Sequence, residues 1–166
     1  MTEIIIQETT YDFLKSFENT LLQDDVFLDT SCYTNGIEKE NADHWYFIAK
    51  INDEFAGCSA LVKYFNVNDQ TWKIYHRLSY TFPKFRKMGV WNSLMAFKVK
   101  FCHENKLNNN DKTSHHVSCD LSDWRYRKTG WHLYNAKELQ LKGKRIYQAT
   151  WFLDWAELKK LYNIVD

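Results

Sequence analysis

The chain opens with a short apolar run, Ile4-Ile5-Ile6, which predicts an edge strand. The period then changes. Phe13, Leu14, Phe17 and Leu21 recur at helical spacing behind Thr10 or Asp12 as candidate caps. Residues 24–43 are polar and irregular, with a turn at Thr34-Asn35-Gly36. Three strand-like runs follow: His44 to Ile51, then Glu54 to Phe65 beyond the turn Asn52-Asp53, then Trp72 to Phe82 beyond a turn over 66–71. Together they predict an antiparallel meander that ends at Pro83, the only proline. After it, Val90, Leu94, Phe97 and Phe101 stand at i, i+4, i+7 and i+11, predicting a helix from Val90 to about Leu107 with one buried face. Lys98, Lys100, Glu104 and Lys106 fall mostly off that face. A loop at 108–111 leads to a strand from His115 to Leu121, expected parallel to Trp72–Phe82 because a helical crossover joins the two. A short helix from Ser122 to Thr129 should stop at Gly130. A hairpin, Ala136–Leu141 and Arg145–Leu153 around Lys142-Gly143-Lys144, and a final helix from Trp155 to Tyr162 complete the pattern.

Composition narrows the class. With 166 residues, 45% hydrophobic and 17% aromatic, the chain suits one domain over 1–166 with a substantial core. No apolar run approaches the 18 or so residues that span a bilayer, and the N-terminus lacks the basic and apolar regions of a signal peptide. A cytoplasmic protein without a membrane partner is therefore expected. The four cysteines, Cys32, Cys58, Cys102 and Cys119, form no CxxC pair, so reduced thiols are the default. A zinc site would need distant convergence with His103, His115 or His116, and no metal is expected. The net charge of +1 hides an asymmetry: residues 1–71 hold 13 acidic and 4 basic side chains, residues 72–166 hold 8 and 18. A positive half of this kind suits a polyanion, nucleotide cofactor or nucleic acid.

Candidate chemistry concentrates at Pro83-Lys84-Phe85-Arg86-Lys87-Met88-Gly89-Val90-Trp91, where a strand gives way to a basic glycine turn and a helix N-terminus. The first N–H groups of a helix have no intrahelical acceptor and sit at the positive end of its dipole, so they attract anions. Arg86 and Lys87 add full charges, and Gly89 permits a tight turn and close approach. A phosphate or pyrophosphate is the natural guest.

These residues, with two further motifs, resemble the GNAT superfamily of N-acetyltransferases, which bind acetyl-coenzyme A. Arg86-Lys87-Met88-Gly89-Val90-Trp91 is similar to the family's Q/R-x-x-G-x-G/A loop in all but the last position, where Trp91 replaces a small residue. Tyr126-Arg127-Lys128-Thr129-Gly130-Trp131 is similar to its Tyr-x-x-x-Gly-Phe ending, and Asn52-Asp53-Glu54-Phe55-Ala56-Gly57 to its common hairpin. The resemblance implies an α/β (α+β) fold: a mixed, mostly antiparallel sheet of six to seven strands flanked by helices, its central strands splayed around a cofactor cleft. It implies acetyl-CoA as co-substrate, held by Thr81, Arg86, Lys87, Met88, Gly89, Val90, Trp91 and Ser122, and Tyr126 as general acid to the departing thiolate. It further departs from the family in placing Cys119 where an asparagine is frequent. For a base, Tyr75, His76, Arg77 and Ser79 on the long strand are candidates, with His115 and His116 behind them. His76 has a suitable intrinsic pKa, yet it is in step with Trp72, Ile74 and Leu78 and reads equally as a core histidine. A bulge there would change which side chains face the cleft.

The activity implied is acyl transfer from coenzyme A to a primary amine, on a small molecule or a protein, by a monomer or homodimer. Two alternatives stay open: a nucleic-acid (DNA base) modifying protein of the kind phages encode, suggested by Trp124-Arg125-Tyr126-Arg127-Lys128, and a non-catalytic module that keeps only the fold.

Overall fold

A computed structural model describes residues 2–24, 42–120, 125–141 and 144–166. The expected turns at Thr34-Asn35-Gly36 and Lys142-Gly143, and Ser122 with its neighbours, lie outside the described residues. Strand β1 (Ile5–Thr9) leads through Thr10, whose hydroxyl accepts from Phe13 N at 3.2 Å, into α1 (Tyr11–Lys15). The single helix expected over 13–21 is instead broken: Ser16 caps α1, and α2 (Glu18–Gln23) starts afresh at Phe17. The meander follows as β2 (Asp43–Ile51), β3 (Glu54–Asn66) and β4 (Thr71–Thr81). A 3-10 turn at Pro83–Phe85 separates β4 from α3 (Val90–Glu104). Then come β5 (Ser114–Asp120), α4 (Arg125–Lys128), the hairpin β6 (His132–Leu141) and β7 (Lys144–Asp154), and α5 (Trp155–Leu161). Helix α5 starts in a capping box, with Asp154 and Glu157 satisfying each other's backbone N–H. No helix among the described residues is long and apolar enough to cross a membrane.

All seven strands form one sheet in the order β1-β2-β3-β4-β5-β7-β6. Every neighbouring pair is antiparallel except β4 with β5, the pair joined through α3. That order keeps the acidic and basic halves of the chain apart, β1 to β3 on one side and β5, β7 and β6 on the other, with β4 between them.

Two cores result. On one face α3 and α5 bury Phe47, Leu61, Ile74, Val117, Trp151 and Leu153 against Leu94, Val99 and Leu158. On the other, α1 and α2 set Leu14 and Leu21 against Ile48, Cys58 and Tyr80. The buried stripe of α3 is not the one its spacing suggests. Phe97 and Phe101 are only partly buried, while Met95, Lys98, Val99 and Cys102 are enclosed with Val90 and Leu94. Lys98, expected off the buried face, is fully buried.

Candidate functional site

The parallel ladder between β4 and β5 runs from Lys73–Ser114 to His76–Val117 and stops there. Strand β4 continues to Thr81 along β3, and β5 continues to Asp120 along β7, so the two diverge. The cause is local to β4. Its register against β3 shifts between Cys58 and Ala60, and Leu78 opposite the shift has φ +58°, a β-bulge made by a residue for which that conformation is strained. A bulge adds twist and swaps faces. Ile74 and His76 point toward α3 and α5. Past the bulge Ser79 takes that direction, whereas Leu78 and Tyr80 join the α1–α2 core.

The divergence opens a cleft of about 520 Å³ lined by Ser79, Tyr80, Thr81, Phe85, Arg86, Lys87, Gly89, Val90, Trp91 and Asn92. Its size is that of a ligand site. Gly89 stands before the first residue of α3 at φ +84°, and Lys87 shares the left-handed conformation at +65°, so the loop is tightly wound ahead of the helix. A Cβ built on Gly89 would meet no atom within 4 Å, so that flank of the loop is open for a group to approach the backbone. Arg86 is half exposed and held from two sides. Its Nε donates to Thr81 O at 3.2 Å, and its Nη2 donates to Asp24 Oδ2 at 3.4 Å. The same Asp24 carboxylate accepts from the Tyr80 hydroxyl. Met88 faces the outer flank of the loop, where it lines a second depression with Thr2, Glu3, Ile4 and Ser93.

Tyr126 packs against this cleft. Gly130, at φ +90°, ends α4, and Trp131 N donates to Tyr126 O at 3.0 Å, folding Trp131 back under the tyrosine. The Tyr126 ring lies edge-on to Trp91 at 5.7 Å and to Trp131 at 5.6 Å, and Tyr126 is 6% exposed. Trp91, which stands where the family has a small residue, turns its ring toward Tyr126.

The structure separates the other candidates. Tyr75 lies on the opposite face from His76, with its hydroxyl hydrogen-bonded to Ser118 and Thr150 and its ring stacked on His116 at 5.3 Å. His116 is bonded to Ser114 at 2.8 Å. His76 is enclosed, its Nε2 2.8 Å from His115 Nδ1, and His115 Nε2 is 2.6 Å from Asn108 Oδ1. Burial, with the charge of Lys98 and the neighbouring imidazoles, holds His76 well below the usual histidine range, and burial pushes His115 to about 3. Both are neutral at ordinary pH. Among the described residues no group of three or more His, Cys, Asp or Glu side chains converges as a metal site.

Two features escaped the sequence reading. One is the Asp24–Arg86–Tyr80 cluster, whose members are 56 and 62 residues apart for Asp24, a separation that leaves no local signature. The other is Lys98, for which a signal existed: it stands four residues after Leu94 and four before Cys102, on their stripe.

No protein-family model matches the chain, and no curated protein matches it by sequence. Solved structures do match. FeeM, an N-acyl amino acid synthase from uncultured soil microbes, superposes with a TM-score of 0.68 over the full length of both chains at 9% identity. Arabidopsis thaliana NAA60 in complex with acetyl-CoA gives 0.66 over 92% of this chain and 98% of that one at 11% identity. The ribosomal-protein-S18-alanine N-acetyltransferase from Escherichia coli gives 0.62 over 93% and 95% at 9%. The fold is that of the GNAT N-acetyltransferases: a seven-stranded, mostly antiparallel open sheet with flanking helices.

Proposed function

We propose that this protein is an acyl-CoA-dependent N-acyltransferase that moves an acetyl or related acyl group from coenzyme A to a primary amine. The observation that carries the reading is the cleft itself. It places a left-handed glycine, an arginine, a lysine and a helix N-terminus at one end and the Tyr126 ring alongside. The solved structures of this fold are consistent with it, two of them holding acetyl-CoA. The acceptors named for others are an alanine of ribosomal protein S18, a peptide and an amino acid, all amines.

In this reading Arg86, Lys87 and the first-turn N–H groups of Val90, Trp91 and Asn92 hold the pyrophosphate of the co-substrate, and the open flank at Gly89 admits it. Thr81 and its neighbours on β4, past the last rung shared with β5, turn backbone donors toward the thioester carbonyl and stabilise the charge that develops on its oxygen. Tyr126 gives its phenolic proton to the sulfur as the C–S bond breaks. Asp24 competes with phosphate for Arg86, so binding exchanges one charge-assisted pair for another. Monomer and homodimer are both compatible with this chemistry, which one chain contains in full.

Acetyl-CoA at about a hundredfold excess over its Kd is expected to raise the melting temperature by about 5–10 °C. An unchanged melting point at millimolar acetyl-CoA would refute the reading. With spermidine, glucosamine, glycine and an alanine-initiated peptide as trial acceptors, thiol release should be detectable with at least one. Tyr126→Phe should then lower kcat by about 10²-fold while the acetyl-CoA melting shift is kept. Equal turnover in the variant removes Tyr126 as the acid.

A further inference from the structure

Among the described residues that line the cleft there is no carboxylate and no imidazole, yet an amine that attacks a thioester must shed a proton. The residues beneath the lining supply an acceptor. Ser79 lines the cleft and also faces inward, where its Oγ lies 3.5 Å from Lys98 Nζ and 2.9 Å from Ser59 Oγ. Ser59 donates to the carbonyl of Arg77 at 3.2 Å, beside the register shift between β3 and β4. Either hydroxyl can donate across the serine pair, so with Lys98 neutral the Ser79 proton can turn from Ser59 to the Nζ lone pair. Lys98 itself is 0% exposed and has no carboxylate within salt-bridge distance among the described residues. A buried ammonium without a counter-charge is unstable, so the group is held neutral unless a proton is delivered to it.

The titratable groups around Lys98 are Cys58 on β3, Cys102 on α3, His76 on β4 and His115 on β5. Burial keeps both thiols protonated at about 12, so neither offers an anion. Burial likewise brings Lys98 down to about 7, against a weak opposing pull from the two sulfurs. The histidines add polarity in one direction. Asn108 Oδ1 accepts from His115 Nε2, so His115 Nδ1 accepts from His76 Nε2 and His76 Nδ1 is left as a buried lone pair without a partner. This lone pair lies within the electrostatic reach of Lys98.

We propose that Lys98, acting through the Ser79 hydroxyl, takes up the proton released by the acceptor amine during acyl transfer. The step rests on the acyltransferase reading above. The neutral amine nitrogen forms the new N–C bond, its surplus proton passes to Ser79 as the Ser79 proton passes to Lys98 Nζ, and the C–S bond breaks with its electron pair on sulfur. Tyr126 protonates that sulfur. The lysine ammonium and the tyrosine phenolate left behind cancel in charge, and exchange of one proton through solvent restores both. Lys98 touches no substrate atom. It is a positioning and proton-storing group, set on the side of the sheet away from α1 and α2.

Two measurements decide it, the first on the unaltered protein. Lysine side-chain NMR, assigned with Lys98→Met, should show one ammonium titrating near pH 7 in the free protein. A Lys98 that stays charged above pH 9 overturns the inference, whether or not an acceptor has been found. The second uses the best acceptor from the trial set and follows kcat/KM from pH 5.5 to 9.5. The native profile should rise through a midpoint near 7. Lys98→Met and Ser79→Ala should each lose that limb and about 10²-fold in kcat/KM at pH 7.5, and Lys98→Arg, permanently charged, should not restore it. All three should keep the melting shift with acetyl-CoA, which separates this failure from failure of the acyltransferase reading. A native limb that survives in Lys98→Met assigns the lysine to packing alone.

Discussion

Lys73 and Lys98 are both buried, on opposite faces of one sheet, and the protein treats them in opposite ways. Lys73, 5% exposed, points away from α3 and is paired with Asp69 at 2.7 Å while its Nζ lies 5.3 Å from the centre of the Tyr134 ring. Burial alone would raise Asp69, but hydrogen bonds from Lys73 and Thr71 hold its carboxyl below the usual range. Lys98 has a serine at 3.5 Å and burial on every side. One site is built to keep a charge, the other to refuse it. The difference matters because Lys73 lies on β4 ahead of its bulge while Lys98 packs against the bulge itself, and only Lys98 reaches the cleft through Ser79. A charged lysine at the second position would cost stability for nothing unless its neutral form has a use.

The largest test of that contrast is thermodynamic. Below about pH 7 the folded and the unfolded chain both carry a protonated Lys98, and the folded state bears the full desolvation cost. Between about 7 and 10.5 only the unfolded chain remains protonated, so the cost fades as pH rises, by about 1.4 kcal/mol per pH unit. Lys98→Met, similar in length and without charge, should therefore be more stable than the native protein by several kcal/mol at pH 6, with the gap closing toward pH 10. Urea unfolding at pH 6, 8 and 10 measures it. A gap that does not change with pH would mean that Lys98 is paired after all.

A smaller effect asks whether the poverty of partners at Lys98 reflects loose packing of α3. Gly57 on β3 sits where the N-terminus of that helix meets β4: an added Cβ would collide with the Tyr80 carbonyl and lie 3.0 Å from Val90 Cγ1. Backbone cannot move aside as a flexible side chain can. Gly57→Ala is expected to cost about 1–3 kcal/mol and to weaken the acetyl-CoA melting shift, because it pushes the N-terminal end of α3, the proposed pyrophosphate site, away from β4. A neutral substitution would show that α3 rides loosely on the sheet, and the isolation of Lys98 would then be slack rather than design.

Much of this architecture was readable from residue order. The strands of the meander, Pro83 as terminator, the parallel return after α3, and the glycines at 89 and 130 were expected and are found, the last two at positive φ where a side chain would be strained. Local patterns carry such features, since turns and periods are properties of short segments. What was not legible depends on contacts between distant segments. The helix expected across Phe13–Leu21 breaks at Ser16, whose hydroxyl bonds back to Phe13 O at 2.6 Å, and Phe17 then packs on Phe55 from β3. The buried face of α3 takes in Lys98 and Cys102 rather than Phe97 and Phe101, and Lys98 there meets Ser79 at the bulge in β4. A bulge adds one residue and leaves no mark in the hydrophobic period of its strand, so the one hint, the spacing of Lys98 from Leu94 and Cys102, gives no reason by itself to read a lysine as buried.

The smallest expected effect belongs to Lys73, and its sign is what matters. Lys73→Met keeps the aliphatic stem but removes the partner of Asp69 and the cation over Tyr134. Asp69 is 44% exposed at its side chain, so water takes over most of the lost interaction, and the loss should be only about 0.5–1 kcal/mol at neutral pH. A carboxyl held low in the folded state contributes stability above its ordinary value near 3.8, and that contribution disappears as pH falls through the lower folded value. The native advantage over Lys73→Met should accordingly vanish in acid, shrink in high salt, and stay level between pH 7 and 10, the interval over which Lys98→Met changes most. A Lys73→Met protein more stable than the native one, or a gap that moves between pH 7 and 10, would place both lysines under the same rule and dissolve the distinction between the two faces of β4.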